Sequence, residues 1–303
     1  MQKNFSYPTR RSSQASGKEA VLQEHGTYGH PLPVSRRTLN FLREALKEDI
    51  GRGDITSNLV ILPHARGTAR VIAKEKGIFC GERLVREIFK IVDPKVKLEF
   101  RVHNGGMLRK GKIVFKMHGN IRSILKAERT MVNFIGHLSG IATKTRLFVN
   151  KVKKYPALIL DTRKTTPLWR ELEKVAVQVG GGRNHRQGLD EFLMVKENHR
   201  IHGDLRKLRL HPGEFEIEVR SHGELLEAIG LKAKVILLDN FTPREVQRTV
   251  EMVRRKSPGT IIEASGGITL KNVRQFAAAG VDTISVGSLT HSVKAIDFSL
   301  LVD

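Results

Sequence analysis

The 303-residue chain has a single cysteine, Cys80, and lacks any run approaching the ~18 consecutive apolar residues of a membrane-spanning helix. One cysteine cannot form an internal disulfide or supply a zinc site built from several cysteines. Aromatic residues make up only 6% of the chain, which is little for a protein that stacks nucleic-acid bases on exposed rings. These shortages exclude a disulfide scaffold and a helical membrane span, and they predict an intracellular, cytoplasmic protein.

Acidic residues are also few relative to basic ones, with 31 Asp and Glu against 53 Lys and Arg, for a net charge of +22. A surplus this large predicts attraction to anions, which can be nucleic acid, a membrane surface or phosphorylated metabolites. The basic residues are scattered along the whole chain rather than clustered. Composition alone therefore leaves the kind of anion open.

Residues 1–36 differ in composition from the rest of the chain. They are rich in Ser, Gly, Gln, Thr and Arg and have almost no aliphatic periodicity. This composition predicts a basic, disordered tail. The sequence Arg10-Arg11-Ser12-Ser13 leaves an organelle transit peptide as the alternative, although a clear amphipathic apolar face is missing.

Residues 37–140 mix helical and alternating patterns without a regular βα rhythm, which predicts an α+β sandwich domain. A long helical pattern runs from Ile121 to about Lys153. The shorter predicted elements are helices at Leu39–Leu46 and Glu82–Val92 and strands at Thr68–Ala73 and Lys112–Met117.

Residues 141–292 contain six short apolar runs that each end in polar residues. From Lys196 onward these ends are one βα unit apart, which predicts parallel strands with buried faces. Candidate functional residues at every strand end favour an incomplete, about six-stranded α/β barrel over a doubly wound sheet. The runs are Leu158–Leu160, Phe192–Val195, Phe215–Ile217, Val235–Leu238, Thr260–Ile262 and Thr283–Val286.

The strand ends fall into cationic, anionic and small-residue groups. Planar cations suit a substrate with more than one carboxylate, and glycine-rich late βα loops suit a phosphate. Two carboxylates beside a phosphate suit Mg²⁺ on a diphosphate. The cations are Arg163, Lys164, His185, Arg186 and Lys196, the carboxylates are Glu218 and Asp239, and the small residues are Ser265-Gly266-Gly267 and Gly287-Ser288.

Each group also has a structural interpretation. Gly266-Gly267 can be a tight turn, Glu218 and Asp239 can be salt-bridge partners, and His185 can be a structural histidine. The common placement of these residues at strand ends favours the functional interpretation.

These residues lie in motifs that resemble the quinolinate phosphoribosyltransferase family, also called nicotinate-nucleotide pyrophosphorylase (carboxylating). The resemblance covers roughly residues 38–303, and it implies that residues 293–303 pack back on the domain of residues 37–140. Its motifs include Asp161-Thr162-Arg163-Lys164-Thr165-Thr166-Pro167, Gly180-Gly181-Gly182-Arg183-Asn184-His185-Arg186, Val195-Lys196-Glu197-Asn198-His199, Glu216-Ile217-Glu218-Val219, Leu237-Leu238-Asp239-Asn240-Phe241, Glu263-Ala264-Ser265-Gly266-Gly267 and Ser285-Val286-Gly287-Ser288-Leu289-Thr290-His291.

The resemblance implies that quinolinate and 5-phosphoribosyl 1-diphosphate give nicotinate mononucleotide, CO₂ and diphosphate, with Mg²⁺ on the diphosphate. It also implies a homo-oligomer, a dimer or hexamer, in which Arg129 enters a neighbouring subunit's site, and no nucleic-acid or membrane partner. By resemblance, quinolinate is held by Arg129, Thr162, Arg163, His185, Arg186 and Lys196, the catalytic residues are Lys164, Glu218 and Asp239, and the phosphate is bound by Ser265, Gly266, Gly267, Gly287, Ser288, Leu289 and His291.

The chain departs from the family pattern after Thr165-Thr166-Pro167, where Leu168-Trp169 replaces the usual glycine. The sequence leaves two rival functions. A related phosphoribosyltransferase, acting on nicotinate or linked to molybdenum transport, would not need so many cations. A nucleic-acid-binding protein on an inactive barrel is disfavoured because Glu218 and Asp239 would repel phosphate backbones.

Overall fold

The computed structural model describes residues 34–303, so the predicted tail lies almost wholly outside the described residues. The described chain divides into two compact units. The N-terminal unit comprises residues 34–146, 166–181 and 290–303, and the barrel unit comprises residues 147–165 and 182–289. The boundary expected at residues 140 and 141 stays a prediction. Among residues 34–303, no helix is both long enough and apolar enough to cross a bilayer.

The N-terminal unit is built on a four-stranded antiparallel sheet in the order β12-β1-β5-β3. The last strand of the chain pairs with the first, with Val71 opposite Leu300. The strands are β1 (Arg66–Ala73), β3 (Lys97–Phe100), β5 (Ile113–Asn120) and β12 (Phe298–Val302), and a separate pair is formed by β2 (Gly77–Ile78) and β4 (Met107–Leu108).

Two helices of the N-terminal unit begin at side chains that cap their first turn. The Ser35 hydroxyl accepts a hydrogen bond from the Thr38 N–H, and the Asp54 carboxylate accepts one from the Ser57 N–H, so orphan donors are satisfied. The helices are α1 (Arg36–Ile50), α2 (Ile55–Val60), α3 (Glu82–Val92), α5 (Arg170–Gly180) and α4 (Ile121–Val152), whose last residues belong to the barrel unit.

Aromatic side chains fill the core beside the four-stranded sheet. The ring of Phe79 lies 6.4 Å from Phe115 and 6.5 Å from Phe298 between centroids, and Phe100 lies 4.8 Å from Phe115. Phe79 and Phe115 are fully buried. Burial of such rings supplies much of the hydrophobic free energy of a small unit. The α+β class expected for this part of the chain is thus confirmed.

The barrel unit contains a six-stranded, all-parallel sheet in the order β6-β11-β10-β9-β8-β7. The sheet does not close, so the incomplete six-stranded α/β barrel is confirmed. Its strands are β6 (Leu158–Leu160), β7 (Leu193–Val195), β8 (Phe215–Val219), β9 (Val235–Asp239), β10 (Ile261–Ser265) and β11 (Thr283–Ser285).

Helices follow the strands as the βα rhythm requires. Thr242 caps α8 and forms a reciprocal capping box with Glu245, with Pro243 at the first helical position. The helices are α6 (Glu197–His202), α7 (His222–Gly230), α8 (Pro243–Lys256), α9 (Val273–Ala278) and α10 (Ser288–His291), which runs on into the N-terminal unit, and a 3₁₀ helix spans Leu205–Leu210.

The Leu168-Trp169 departure has a packing explanation. The Trp169 ring stacks on Phe134 at 4.7 Å between centroids and meets Phe41 edge-on at 5.6 Å. Leu168 itself is 64% exposed and adopts a φ of 68°. A left-handed backbone is unfavourable for leucine and free of this penalty for glycine. The tryptophan therefore contributes to the core, whereas the leucine occupies a position suited to glycine.

We expect Leu168→Gly to raise the free energy of unfolding by up to about 1 kcal/mol, because relief of backbone strain outweighs the entropy that glycine gains in the unfolded chain. Urea denaturation measures the change. The matched control is Leu189→Gly, at an exposed loop leucine without a positive φ, which should lower stability. Equal destabilisation by both substitutions would contradict the inference that the backbone is strained at Leu168.

Candidate active site

The carboxyl ends of the six parallel strands meet at one edge of the sheet, where ligands bind in α/β barrels. Most of the residues singled out from the sequence lie at this edge. Thr162, Arg163 and Lys164 follow β6, Lys196 follows β7, Glu218 lies on β8, Asp239 ends β9, Ser265, Gly266 and Gly267 end β10, and Gly287 and Ser288 follow β11.

Glu218 and Asp239 form a carboxylate pair on neighbouring strands. A Glu218 oxygen accepts a hydrogen bond from Nζ of Lys196 at 2.7 Å. The guanidinium of Arg220 lies between the carboxylates, with Nε 3.6 Å from Asp239 and Nη2 3.9 Å from Glu218. Burial and the charge of Glu218 raise the pKa of Asp239, while Arg220, Lys196 and Lys164 lower it. Two negative charges are thus held together by three nearby cations.

The turn after β10 is shaped by glycines. Gly266 has a φ of 84°, and a Cβ there would lie 2.2 Å from the Asn240 side-chain oxygen. Gly267 has a φ of 61°, with open space where its Cβ would be. The N–H groups of both glycines have no acceptor within residues 34–303. Free backbone N–H donors in a concave turn can form a binding site for an anion.

Asn240 connects this turn to the carboxylate pair. It adopts a left-handed φ of 60°, its N–H donates to the Ser265 carbonyl at 2.9 Å, and its side-chain amide donates to Asp239 at 2.9 Å. Asparagine tolerates this backbone conformation better than most residues. The contacts fix Asp239 relative to the glycine turn.

His185 lies inside the barrel unit, engaged at both ring nitrogens. The Arg186 N–H donates to Nδ1 of His185 at 2.8 Å. That places the ring proton on Nε2, which lies 3.1 Å from Glu216 and 3.7 Å from Glu263. Both carboxylates are fully buried, so the histidine supplies a donor that they need.

The carboxyl group of Glu263 has a raised pKa. Burial and the charge of Glu216 raise its pKa to about 7, although His185 and the hydroxyls of Ser285 and Thr283 favour the ionised form. The Ser285 hydroxyl donates to one oxygen at 2.5 Å and the Thr283 hydroxyl to the other at 3.0 Å. The donor atoms of His185, Glu216 and Glu263 lie within 4.8 Å of one another, but these protein contacts already bind them. We therefore assign no metal to this cluster.

Arg186 and His185 are held in their loop by buried contacts. The Asp161 carboxylate accepts a hydrogen bond from the His185 N–H at 2.8 Å, and Arg186 donates to the Phe192 carbonyl at 2.8 Å. Leu289 is also fully buried, and its N–H donates to the Val286 carbonyl at 3.2 Å. The roles expected for these residues toward a substrate stay predictions.

Two predicted site residues belong to the N-terminal unit. Arg129 is exposed on α4, and His291 is exposed with Nδ1 2.6 Å from the Ser292 hydroxyl. Their roles stay predictions as well.

Sequence reasoning assigned no role to Glu216, Glu263, Arg220 and Asn240. Glu216 and Glu218 are two residues apart on β8, so the strand period itself places both on one face. This two-residue spacing could have identified Glu216 from the sequence as a neighbour of Glu218 on the same face of β8. Arg220 looked like an ordinary charged loop residue, and only the structure places it between two carboxylates.

Sequence comparison with protein families matches residues 54–139 to the description "Quinolinate phosphoribosyl transferase, N-terminal domain" and residues 141–301 to the corresponding C-terminal domain. The chain is 41% identical over 262 residues to a probable nicotinate-nucleotide pyrophosphorylase [carboxylating] of Bacillus subtilis, covering 84% of this chain and 89% of the relative. It is 37% identical over 284 residues to a quinolinate phosphoribosyltransferase [decarboxylating] of Nicotiana glauca, covering 86% and 80%.

Among solved structures, the chain is similar to the nicotinate-nucleotide pyrophosphorylase from Francisella tularensis. The TM-score is 0.83 at 37% sequence identity, and the match covers 90% of this chain and 98% of that chain. Both the sequence and the architecture are thus shared along most of the described residues.

Glu263 generates a pH-dependent stability. Its folded pKa of about 7 exceeds the ordinary value of 4.5, so between these pH values the folded state holds a proton that the unfolded chain has lost. This contribution is complete below about pH 4.5 and is lost as pH rises through about 7. As pH rises over this interval, the free energy of unfolding should fall less in Glu263→Gln than in the wild type. The difference is expected to be on the order of 1–3 kcal/mol.

Urea unfolding measured at several pH values from about 5 to about 8 checks this expectation. Glu251→Gln, at an exposed position on α8, is the matched control and should follow the wild type. A Glu263→Gln profile parallel to that of the wild type would contradict the shifted ionisation.

Proposed function

The chain belongs to the quinolinate phosphoribosyltransferase family, and we propose that it performs the reaction of that family. It transfers the phosphoribosyl group of 5-phosphoribosyl 1-diphosphate to quinolinate with decarboxylation, giving nicotinate mononucleotide, CO₂ and diphosphate, a step of NAD biosynthesis. The assignment of this reaction to the strand ends rests on one observation. Glu218 and Asp239 form a carboxylate pair that lies beside cations and a glycine turn.

Quinolinate is proposed to bind through its two carboxylates. Guanidinium groups match planar carboxylates, and ammonium groups add point charges. The loops after β6 and β7 supply such groups near the carboxyl ends of the strands. The proposed set is Thr162, Arg163, His185, Arg186 and Lys196, with Arg129 from a neighbouring subunit.

The 5-phosphate is proposed to bind at the turns after β10 and β11. The unbonded N–H groups of Gly266 and Gly267 support this position, because backbone donors can meet phosphate oxygens closely where no Cβ intervenes. The proposed set is Ser265, Gly266, Gly267, Gly287, Ser288, Leu289 and His291.

The chemistry follows from the charges at the strand ends. The pyridine nitrogen forms a bond to the anomeric carbon as the bond from that carbon to the diphosphate oxygen breaks. Positive charge develops on the ribose, where Glu218 and Asp239 stabilise it, while Lys164 favours the negative charge of the diphosphate. The cationic ring then accepts the electron pair left by CO₂, and a solvent proton replaces the lost carboxylate.

Mg²⁺ is the proposed cofactor. Burial and then the charge of Glu218 raise the pKa of Asp239. A divalent cation would compensate the repulsion between the two carboxylates, and carboxylate oxygens are its preferred protein ligands. These residues therefore fit the ion. When bound, Mg²⁺ neutralises charge on the departing diphosphate. A cytoplasmic location and a homo-oligomer, dimer or hexamer, complete the proposal.

The assay that tests the function supplies quinolinate, 5-phosphoribosyl 1-diphosphate and Mg²⁺ and follows nicotinate mononucleotide and CO₂. A parallel reaction with nicotinate tests the related phosphoribosyltransferase. Product from quinolinate alone is expected. A folded protein that makes no product, or that prefers nicotinate, would overturn the assignment.

We expect Lys164→Ala to lower kcat/KM by at least about 100-fold, because it removes a cation near the departing diphosphate. Steady-state kinetics with each substrate varied in turn measures the effect. Lys207→Ala, an exposed lysine of the 3₁₀ helix, is the control and should match the wild type. Wild-type kinetics for Lys164→Ala would remove this residue from the site.

A shared site predicts complementation between two inactive variants. In a dimer of Arg129→Ala with Lys164→Ala, one site carries both changes and the other carries neither. Random pairing of equal amounts should therefore restore about a quarter of wild-type activity in a two-fold dimer. Absence of recovery, with subunit exchange verified by mass spectrometry, would show that Arg129 does not act across the interface.

A further inference from the structure

A cavity of about 720 Å³ opens between the loops that follow β8 and β9 in the barrel unit. Arg220 and His222 line one side, Arg248 and Glu245 line the other, and Asp239 lies at its inner wall. One carboxylate oxygen of Glu245 accepts hydrogen bonds from the N–H and the hydroxyl of Thr242, both at 2.7 Å, and so belongs to the helix cap. The cavity therefore presents two arginines beside the carboxylates of Asp239 and Glu245.

Arg220 keeps most of its hydrogen-bonding capacity. Its one close partner is Glu197, which pairs with Nη1. The separations of 3.6 Å to Asp239 and 3.9 Å to Glu218 exceed hydrogen-bond length. A guanidinium has five N–H donors in a rigid fork, so several remain for an anion that enters the cavity.

The order of the strands places this cavity opposite the glycine turn. Gly266 follows β10, Asp239 ends β9 and Arg220 follows β8, and these strands are consecutive in the sheet. With strands about 4.8 Å apart, the turn and Arg220 lie roughly 10 Å apart along the edge, on either side of Asp239. Phosphoribosyl diphosphate carries its two anionic groups on opposite sides of the ribose, which matches this arrangement.

We propose that Arg220 is a substrate-binding residue that contacts the diphosphate group of 5-phosphoribosyl 1-diphosphate in this cavity, with Arg248 on the facing wall. The inference rests on the proposed function, and it adds a site residue outside the motifs that carry the family resemblance. The guanidinium fork donates two parallel hydrogen bonds to phosphate oxygens, which lysine cannot reproduce.

A purely structural role for Arg220 makes a different prediction. If the guanidinium only balances the charges of Glu197, Glu218 and Asp239, its loss disturbs the whole edge. The KM values for both substrates then rise together, and lysine restores both. A contact with the diphosphate instead raises the KM for 5-phosphoribosyl 1-diphosphate and leaves the KM for quinolinate nearly unchanged.

The experiment compares Arg220→Gln, Arg220→Lys and wild type in the full chain. Isothermal titration calorimetry measures binding of inorganic diphosphate with and without Mg²⁺, and steady-state kinetics gives KM for each substrate. The control is Arg206→Gln, at an exposed arginine whose guanidinium contacts Asp204. Circular dichroism establishes that the variants are folded, and Arg220→Lys keeps the charge if the neutral variant is unstable.

We expect Arg220→Gln to weaken diphosphate binding and to raise the KM for 5-phosphoribosyl 1-diphosphate by about tenfold or more, with the KM for quinolinate within about twofold of wild type. Arg220→Lys should only partly restore the diphosphate affinity and the KM for 5-phosphoribosyl 1-diphosphate. Arg206→Gln should match wild type in both quantities. Unchanged diphosphate affinity, or equal increases in both KM values, would overturn the proposal.

The two proposals fail separately in this design. Wild-type turnover with unaltered diphosphate binding in Arg220→Gln removes Arg220 from the site and leaves the function in place. Diphosphate binding that depends on Arg220 in a wild-type protein without turnover supports the contact and overturns the reaction.

Discussion

Parallel pairing of the six barrel strands is the constraint on which the candidate site depends. Because all six run in one direction, their carboxyl ends share an edge, and residues far apart in the chain become neighbours. Lys196, Glu218 and Asp239 come from three successive strands in this way. The register of β9 with β10, which sets Asp239 opposite Ser265, joins the carboxylate pair to the glycine turn.

The carboxylates inside the barrel unit can stay buried only because each has hydrogen-bond donors or cations beside it. An isolated buried charge is expensive, so Glu216 and Glu263 receive His185 and two hydroxyls, and the outer pair receives cations. The inner cluster also fixes the loop that carries Arg186. A charge arrangement prepared before substrate arrives needs little reorganisation during the reaction, which is the basis of electrostatic catalysis.

The sequence predicted the architecture well because it rests on periodic patterns. The six apolar runs, the helix from Ile121 and the cap at Thr242 follow local rules of burial and hydrogen bonding. The position of Arg220 between two carboxylates, the left-handed Asn240 and the engagement of both His185 nitrogens depend on contacts between distant residues. No local pattern encodes those contacts. The left-handed Leu168 likewise breaks the local preference for its residue type.

A crystal structure of the protein with nicotinate mononucleotide tests the central claim most directly, because the product reports the phosphate, ribose and pyridine positions together. The account predicts the 5-phosphate on the N–H groups of Gly266 and Gly267, with the ribose beside Asp239. A mononucleotide bound away from the carboxyl ends of the strands, or with its phosphate beside Arg220, would contradict it.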